Sequence, residues 1–316
     1  MAASKIDLSV IIPIYNEEMN LVPMNNRIIA ALSPLGIQYE IVYVNDGSKD
    51  NSLPIITGLS EENASVKYID FSRNFGHQIA ISAGLEHAVG ERIVIMDGDG
   101  QDPPELIPDL LKKSLEGFEV VYAKRKKRKG ESFLKKLTAK LFYRFLANIT
   151  QIEIPLDTGD FRLIHRKVQK VLLNMPEQHK YLRGQIAWIG FNSTFVEYDR
   201  EERMGGNTKF TYGKMMRFAT DGISGFSNWP LKVATMLGFA VSGIAFMLII
   251  YSLYQKFFGF TEVGWTSLHI SVLFLGGVQL LGIGILGEYL GRVSENVKNR
   301  PTYIVKNSNI QTLNES

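Results

Sequence analysis

Two stretches near the carboxyl end of the chain carry no charged residue: Val233 to Tyr254, about 22 residues, and Val263 to Gly287, about 25. An α-helix crosses a hydrocarbon core of about 30 Å with about 20 residues. Buried helices of soluble proteins seldom stay uncharged that long, and here two such runs follow in tandem. The connecting stretch QKFFGFTE is short. A hairpin of two membrane-spanning helices is therefore expected, at about 231–255 and 263–288. Lys209, Lys214 and Arg217 precede it, and Arg292, Lys298, Arg300 and Lys306 follow it. Positive charge on both outer flanks puts both in the cytoplasm. The opening residues MAASKIDLSV hold no apolar signal core, so the amino-terminal part is expected to stay in the cytosol. Gly287 at the end of the second run and Gly291 four residues on have the GxxxG spacing that lets helices approach closely. Close helix contacts of this kind suit a homo-oligomer, a tetramer being one arrangement of it.

The first two thirds read differently. Ser9–Ile14, Glu40–Val44, Val66–Phe71 and Ile93–Met96 are short apolar runs of the kind that form buried strands. Helical patterns lie between them, at Glu18–Leu32 and Ile79–Ala88. Strands alternating with helices argue an α/β fold with a mainly parallel, Rossmann-like sheet. Ligands of such sheets sit beyond the carboxyl ends of the strands. Asn45-Asp46-Gly47-Ser48 and Asp97-Gly98-Asp99 both fall there, so two acidic strand ends share one edge. The expected division is a catalytic domain over 1–228, the hairpin over 229–290, and a cytoplasmic tail over 291–316.

Asp97 and Asp99 are carboxylates two residues apart, with a glycine between them that lets a ligand come close. Hard oxygen ligands suit Mg²⁺ or Mn²⁺, and such an ion on a diphosphate stabilises a departing nucleotide. The plainer reading of an isolated DxD is a turn or a helix cap. Asp102-Pro103-Pro104-Glu105 also reads as a helix entry with proline in the first turn. The chain has no cysteine, which excludes disulfides and thiolate metal sites. Its five histidines show no metal-ligand spacing, and His77 reads as structural. A net charge of +3 is too mild to point to nucleic acid.

The cations are clustered. Lys124 to Lys129 are all basic. The following SFLKKLTAKLFYRFLANI mixes apolar and basic residues at helical spacing, as does FTYGKMMRFATDGISGFSNWP before the first span. Helices over about 132–150 and 211–228 are expected to lie on an anionic membrane surface.

The ordered motifs IIPIYNEE, VNDGSKDNS, RNFGHQIAISAGL, MDGDGQDPPELIP, DTGDFRL, RGQIAWIGF, REERMGGNTKF and GEYLGRVSENVKNRPTYIV resemble those of the inverting family-two glycosyltransferases of the GT-A fold. Within that family the set is similar to the GtrB-type polyisoprenyl-phosphate glycosyltransferases, with dolichol-phosphate mannose synthase a more distant relative. The resemblance runs over about residues 6 to 305. It implies that Pro13, Tyr15, Glu17 and Asp46 hold the nucleotide base, with Asp97 near the ribose and diphosphate. It implies a metal, Mg²⁺ or Mn²⁺, on Asp99, Asp97 and Gln101. Asp157 becomes the candidate catalytic residue beneath the transferred sugar. Arg125 and Arg128 match acceptor-phosphate positions. Arg203, Thr208 and Lys209 match a loop that closes over the diphosphate.

The implied reaction moves a sugar from a nucleotide sugar, UDP-glucose, to polyisoprenyl (undecaprenyl) phosphate at the cytoplasmic membrane face. A lipid phosphate is already largely anionic at pH 7 because its second pKa is about 6, so little help from a base is needed. Alternatives are a GDP-mannose-dependent mannose synthase, a processive polysaccharide synthase and an inactive membrane scaffold. The processive reading lacks its QxxRW motif. The intact Asp46, Asp97, Asp99, Asp157 and Arg203 disfavour the scaffold.

Overall fold

The computed structural model describes residues 6–126, 155, 158–199, 229–258 and 264–310. They fall into two compact units. One comprises the described residues up to 199 together with 301–310; the other comprises those between 229 and 300.

The first unit is built on an eight-stranded sheet. Its strands are β1 (Leu8–Ile14), β2 (Tyr39–Asn45), β3 (Val66–Phe71), β4 (Arg92–Ile95), β5 (Val120–Arg125), β6 (Thr158–His165), β7 (Ser193–Tyr198) and β8 (Val305–Ser308). The spatial order is β7-β5-β6-β4-β1-β2-β3-β8. The centre is parallel, with β1 between β2 and β4 and β3 beyond β2. β6 runs antiparallel to both β4 and β5, so the sheet as a whole is mixed. Helices α1 (Glu18–Leu32), α2 (Ser52–Glu62), α3 (His77–His87), α4 (Ile107–Leu115), α5 (Arg166–Leu173) and α6 (Leu182–Ile189) connect these strands.

Both sheet faces are covered, which is why the central strands read as continuous apolar runs. β1 is buried along its whole length. Val10, Ile12 and Ile14 pack with Leu21, Met24 and Ile28 of α1 and Ile107 of α4. Ile11 points the other way and joins Ile81 and Leu85 of α3 with Val168 and Ile186. The alternation is the period of two that a pleated strand imposes. Helix α1 has the expected bounds. Helix α3 begins at His77, earlier than the expected Ile79, because tertiary contacts anchor its entry. Gly76 turns the chain into it with φ +110°, and a carboxylate from another strand end holds the preceding amides, as described below.

The sheet ends in a strand for which the sequence carries no signal. β8 comes after the second long apolar helix and pairs antiparallel with β3, Asn307 opposite Asp70 and Val305 opposite Phe71. Tyr303 stacks on Phe71 with ring centroids 4.9 Å apart and donates a hydrogen bond to Glu86 on α3 at 2.7 Å. Ser72 N donates to the Ile304 carbonyl at 3.0 Å, and Tyr68 N donates to the Asn309 side chain at 2.7 Å. The segment thus shields an edge that would otherwise be open to pairing. Truncation after Arg300 is expected to cost the folded protein about 3 kcal/mol, from several lost hydrogen bonds of about 1 kcal/mol each. Thermal melting of the detergent-solubilised protein checks this. An unchanged melting temperature would mean that the segment adds nothing to the sheet.

The second unit is a pair of long helices that pack on each other. α7 spans Trp229–Phe257 and α8 spans Trp265–Lys298. Both are long and apolar enough to cross a membrane. Large apolar side chains such as Phe239, Met247, Leu280 and Val297 are exposed on this unit, which a chain in water rarely tolerates over so wide an area. α8 continues past the apolar run to Lys298, supported by the Glu288–Arg292 pair at 3.2 Å. It stops at Asn299, in the left-handed conformation with φ 44°, two positions before Pro301.

Candidate active site

The carboxyl ends of β1, β2 and β4 lie side by side, and the loops leaving them are stitched together. Asn16 N donates to Ser48 Oγ at 3.0 Å, and Lys49 N donates to the Asn16 side chain at 2.8 Å. Glu17 N donates to Ser52 Oγ at 3.0 Å, while the Glu17 carboxylate accepts from Asn20 at 2.7 Å. Pro13 is buried in β1, and Tyr15 and Glu17 are half-buried beyond it. Gly98 packs on Ile14 so closely that a Cβ there would collide with the Ile14 Cδ1, with the Pro13 carbonyl oxygen 3.1 Å away. The loop carrying Asp97 and Asp99 therefore lies directly on the end of β1.

Asp46 is 3% exposed. Its carboxylate accepts backbone hydrogen bonds from Phe75 at 2.6 Å and Gly76 at 3.0 Å. Burial pushes the carboxyl above its ordinary range, and those two amides pull against that rise. The loop of residues 73–76 is clamped further at Gly47. There φ is +66°, and a Cβ would lie 2.5 Å from the Arg73 carbonyl carbon. Asp46 thus fixes the backbone that leads into His77, the first residue of α3.

His77 links two acids. Its Nε2 lies 3.2 Å from Asp160 on β6 and 3.4 Å from Asp97. Crowding by protein works against a charged ring, but the Asp160 hydrogen bond and the charges of Asp97 and Asp160 outweigh it and push the pKa up to about 9. Asp160 is a hub. Arg183 of α6 grips it with both Nε, at 2.8 Å, and Nη2, at 3.0 Å. Arg162 Nη2 adds a contact at 3.4 Å, and the Gln78 amide another at 3.4 Å. Burial alone would raise this carboxyl; Arg183 and His77 instead hold it well below the usual carboxylate range. Asp97 differs. Burial pushes its carboxyl up despite His77, and among the described residues its buried Oδ1 accepts no hydrogen bond.

One ligand atom from each of His77, Asp97 and Asp160 falls within 4.8 Å of the others, a spacing at which a metal ion could be held. The charges argue against all three serving together. Carboxylates only accept hydrogen bonds, so His77 Nε2 between them carries a proton, and Asp160 already has both oxygens on a guanidinium. Asp97 Oδ1 is the oxygen left open. Asp99, two residues on, is close enough to push the Asp97 carboxyl up and accepts from Gln101 N at 3.1 Å. This oxygen-rich pair fits a hard divalent ion.

Arg125, at the end of β5, donates to the Tyr198 hydroxyl at 3.3 Å, and that hydroxyl donates to Asp102 at 2.7 Å. Asp102 caps no helix; it is buried and anchors β7 through Tyr198. The Arg125 guanidinium also lies over Gly159, where a Cβ would be 2.8 Å from Nη2. The fold therefore gathers Pro13, Tyr15, Glu17, Asp46, Asp97, Asp99, Gln101 and Arg125 at one end of the sheet. Asp157, Arg128, Arg203, Thr208, Lys209 and the amphipathic segments 132–150 and 211–228 lie outside the described residues. His77, read as structural from the sequence, turns out to bridge two acids. Arg183, which had no assigned role, turns out to clamp one of them. The only sequence signal for either is its place within a quoted motif, NFGHQ for one and RGQIAWIGF for the other.

A family model described as "Glycosyl transferase family 2" matches residues 9–173. An uncharacterized glycosyltransferase of Bacillus subtilis (strain 168), YkcC, is 47% identical over 304 residues, covering 96% of this chain and 94% of that protein. The bactoprenol glucosyl transferase of Shigella phage SfII is 41% identical over 303 residues, covering 95% and 98%. The prophage bactoprenol glucosyl transferase homolog of Escherichia coli (strain K12) is 40% identical over 301 residues, again covering 95% and 98%. Asp46, Asp97 and Asp99 all lie within the matched residues, and the chain belongs to glycosyl transferase family 2.

Proposed function

We propose that this enzyme transfers glucose from UDP-glucose to the phosphate of a polyisoprenyl lipid, undecaprenyl phosphate, at the cytoplasmic face of a membrane. The observation that carries the reading is the near full-length similarity, at about 40% identity, to proteins named bactoprenol glucosyl transferases. The geometry supports it. The nucleotide would lie across the ends of β1 and β2, by Pro13, Tyr15, Glu17 and Asp46. Asp97 and Asp99, with Gln101 beside them, would hold Mg²⁺ or Mn²⁺, which supplies charge stabilisation on the diphosphate when bound. A lipid-phosphate oxygen attacks the anomeric carbon as the bond from that carbon to the UDP oxygen breaks, inverting the centre and releasing UDP. The attacking oxygen needs no strong base, being already anionic at neutral pH. Arg125 stands by with a planar guanidinium suited to a phosphate, and Arg128, Arg203, Thr208 and Lys209 are proposed for the same anionic partners. Asp157 is proposed as the catalytic carboxylate that positions the acceptor or steadies the sugar. The two apolar helices would keep the enzyme where its lipid acceptor resides.

Purified enzyme, labelled UDP-glucose, undecaprenyl phosphate and Mn²⁺ should yield labelled lipid, and EDTA should abolish it. GDP-mannose run in parallel should give none. Labelling from GDP-mannose instead would transfer the proposal to a mannose synthase. Labelling from neither donor would overturn it.

A further inference from the structure

Asp97 carries the open oxygen of the donor site, yet nothing on its own loop holds that oxygen in place. Its Oδ1 is buried and accepts no hydrogen bond among the described residues. The group that faces it is His77 Nε2, at 3.4 Å. The ring is fixed from two directions. Its backbone follows Phe75 and Gly76, whose amides are bound by Asp46. Its Nε2 contacts Asp160 at 3.2 Å, and Asp160 is itself locked by both arms of Arg183. Two carboxylates this close repel, and the Asp97 side chain would swing away if nothing positive stood between it and Asp160.

We propose that His77 is a positioning residue of the donor site, held by the Arg183–Asp160 clamp so that its Nε2–H keeps Asp97 oriented toward the metal–diphosphate of the donor. This rests on the donor site proposed above. His77 touches neither the sugar nor the lipid in this scheme and acts only through Asp97. The ring keeps 43% of its side-chain surface accessible, so its removal leaves no large cavity and the fold survives it.

The test measures binding of UDP with Mn²⁺ to the full-length protein by calorimetry, beside transfer kinetics and thermal melting without nucleotide. His77→Ala should weaken UDP binding about tenfold, the lower end of what a polar contact to a charged group contributes, since Nε2 faces Asp97 across 3.4 Å without a full hydrogen bond. The KM for the sugar donor should rise in parallel with the KM for the lipid unchanged, and the nucleotide-free melting temperature should fall by less than in Asp160→Ala, because His77 is only one of several partners of Asp160. His77→Gln, which can offer an N–H from a similar place, should restore most of the affinity. In an Asp97→Asn background, His77→Ala should add little further loss, because residues acting through one contact are not additive. Unchanged UDP affinity in His77→Ala would overturn the assignment. So would a full additional loss in the Asp97→Asn background, or a fall in melting temperature as large as that of Asp160→Ala. If the wild-type protein binds UDP but labels no lipid, the proposed reaction fails while the binding data still decide the role of His77. If it binds no UDP, the donor site falls and the role of His77 with it.

Discussion

Asp160→Ala is expected to destabilise the sheet domain by about 3–5 kcal/mol, the cost of breaking a buried ion pair from one side. Asp160 is 5% exposed and takes contacts from Arg183, Arg162 and His77. Its loss leaves a guanidinium with 2% of its side chain accessible, Arg162, without its carboxylate. Arg183 retains 36% accessibility, so water relieves part of its share. Against a total stability of about 5–15 kcal/mol, the loss is large enough to read directly in a melting curve. The same pair sets an acid limit. Arg183 and His77 hold the Asp160 carboxyl well below the usual carboxylate range in which it titrates in the unfolded chain. The pair's contribution is therefore fully present above that unfolded value and is lost as pH falls through the lower folded one. Asp160→Asn should remove this part of the acid dependence and melt between wild type and Asp160→Ala at neutral pH. A melting temperature for Asp160→Ala equal to that of wild type would refute the hub.

Asp99→Ala and Asp97→Asn are expected to reduce glucosyl transfer by about 10²–10³-fold, the usual cost of removing a group that stabilises developing charge. Stability should move the other way in Asp97→Asn. Burial pushes the Asp97 carboxyl above its ordinary range, so its ionised form costs the native state free energy at neutral pH. Neutralising it should leave the melting temperature at or above that of wild type. A residue kept at the expense of stability is what a binding site requires. Near wild-type turnover by either variant, measured with saturating Mn²⁺ and donor, would remove these acids from the donor site.

Much of this architecture is written locally in the chain. Val10–Ile14 and Ile41–Val44 are apolar without interruption because the central strands are covered on both faces, and a sequence window is enough to see that. Helix α1 shows the helical period over its full length, and its bounds are recovered. That Asp46 and the Asp97–Asp99 pair share one edge is legible because a parallel sheet delivers the ends of its strands to one side. The two uncharged runs predict the two long helices, since length and composition alone decide whether a helix can cross a hydrocarbon core.

What the tertiary structure alone decided are meetings between distant segments. β8 reads VKNS, with neither an apolar run nor alternation, because it is a short, mostly exposed edge strand whose hold on the sheet is backbone pairing, supported by Tyr303. Backbone pairing leaves no trace in side-chain pattern. The bridge from His77 to Asp160 spans 83 positions and the grip of Arg183 on Asp160 spans 23. Periodicity reports which face of one element is buried, not which residue of another element arrives there. The insertion of antiparallel β6 between β4 and β5 brings Asp160 to Asp97 in the loop that follows β4. Whether an arginine, a histidine and two carboxylates become one network depends on that packing, and it turns residues that look structural one at a time into a single electrostatic unit.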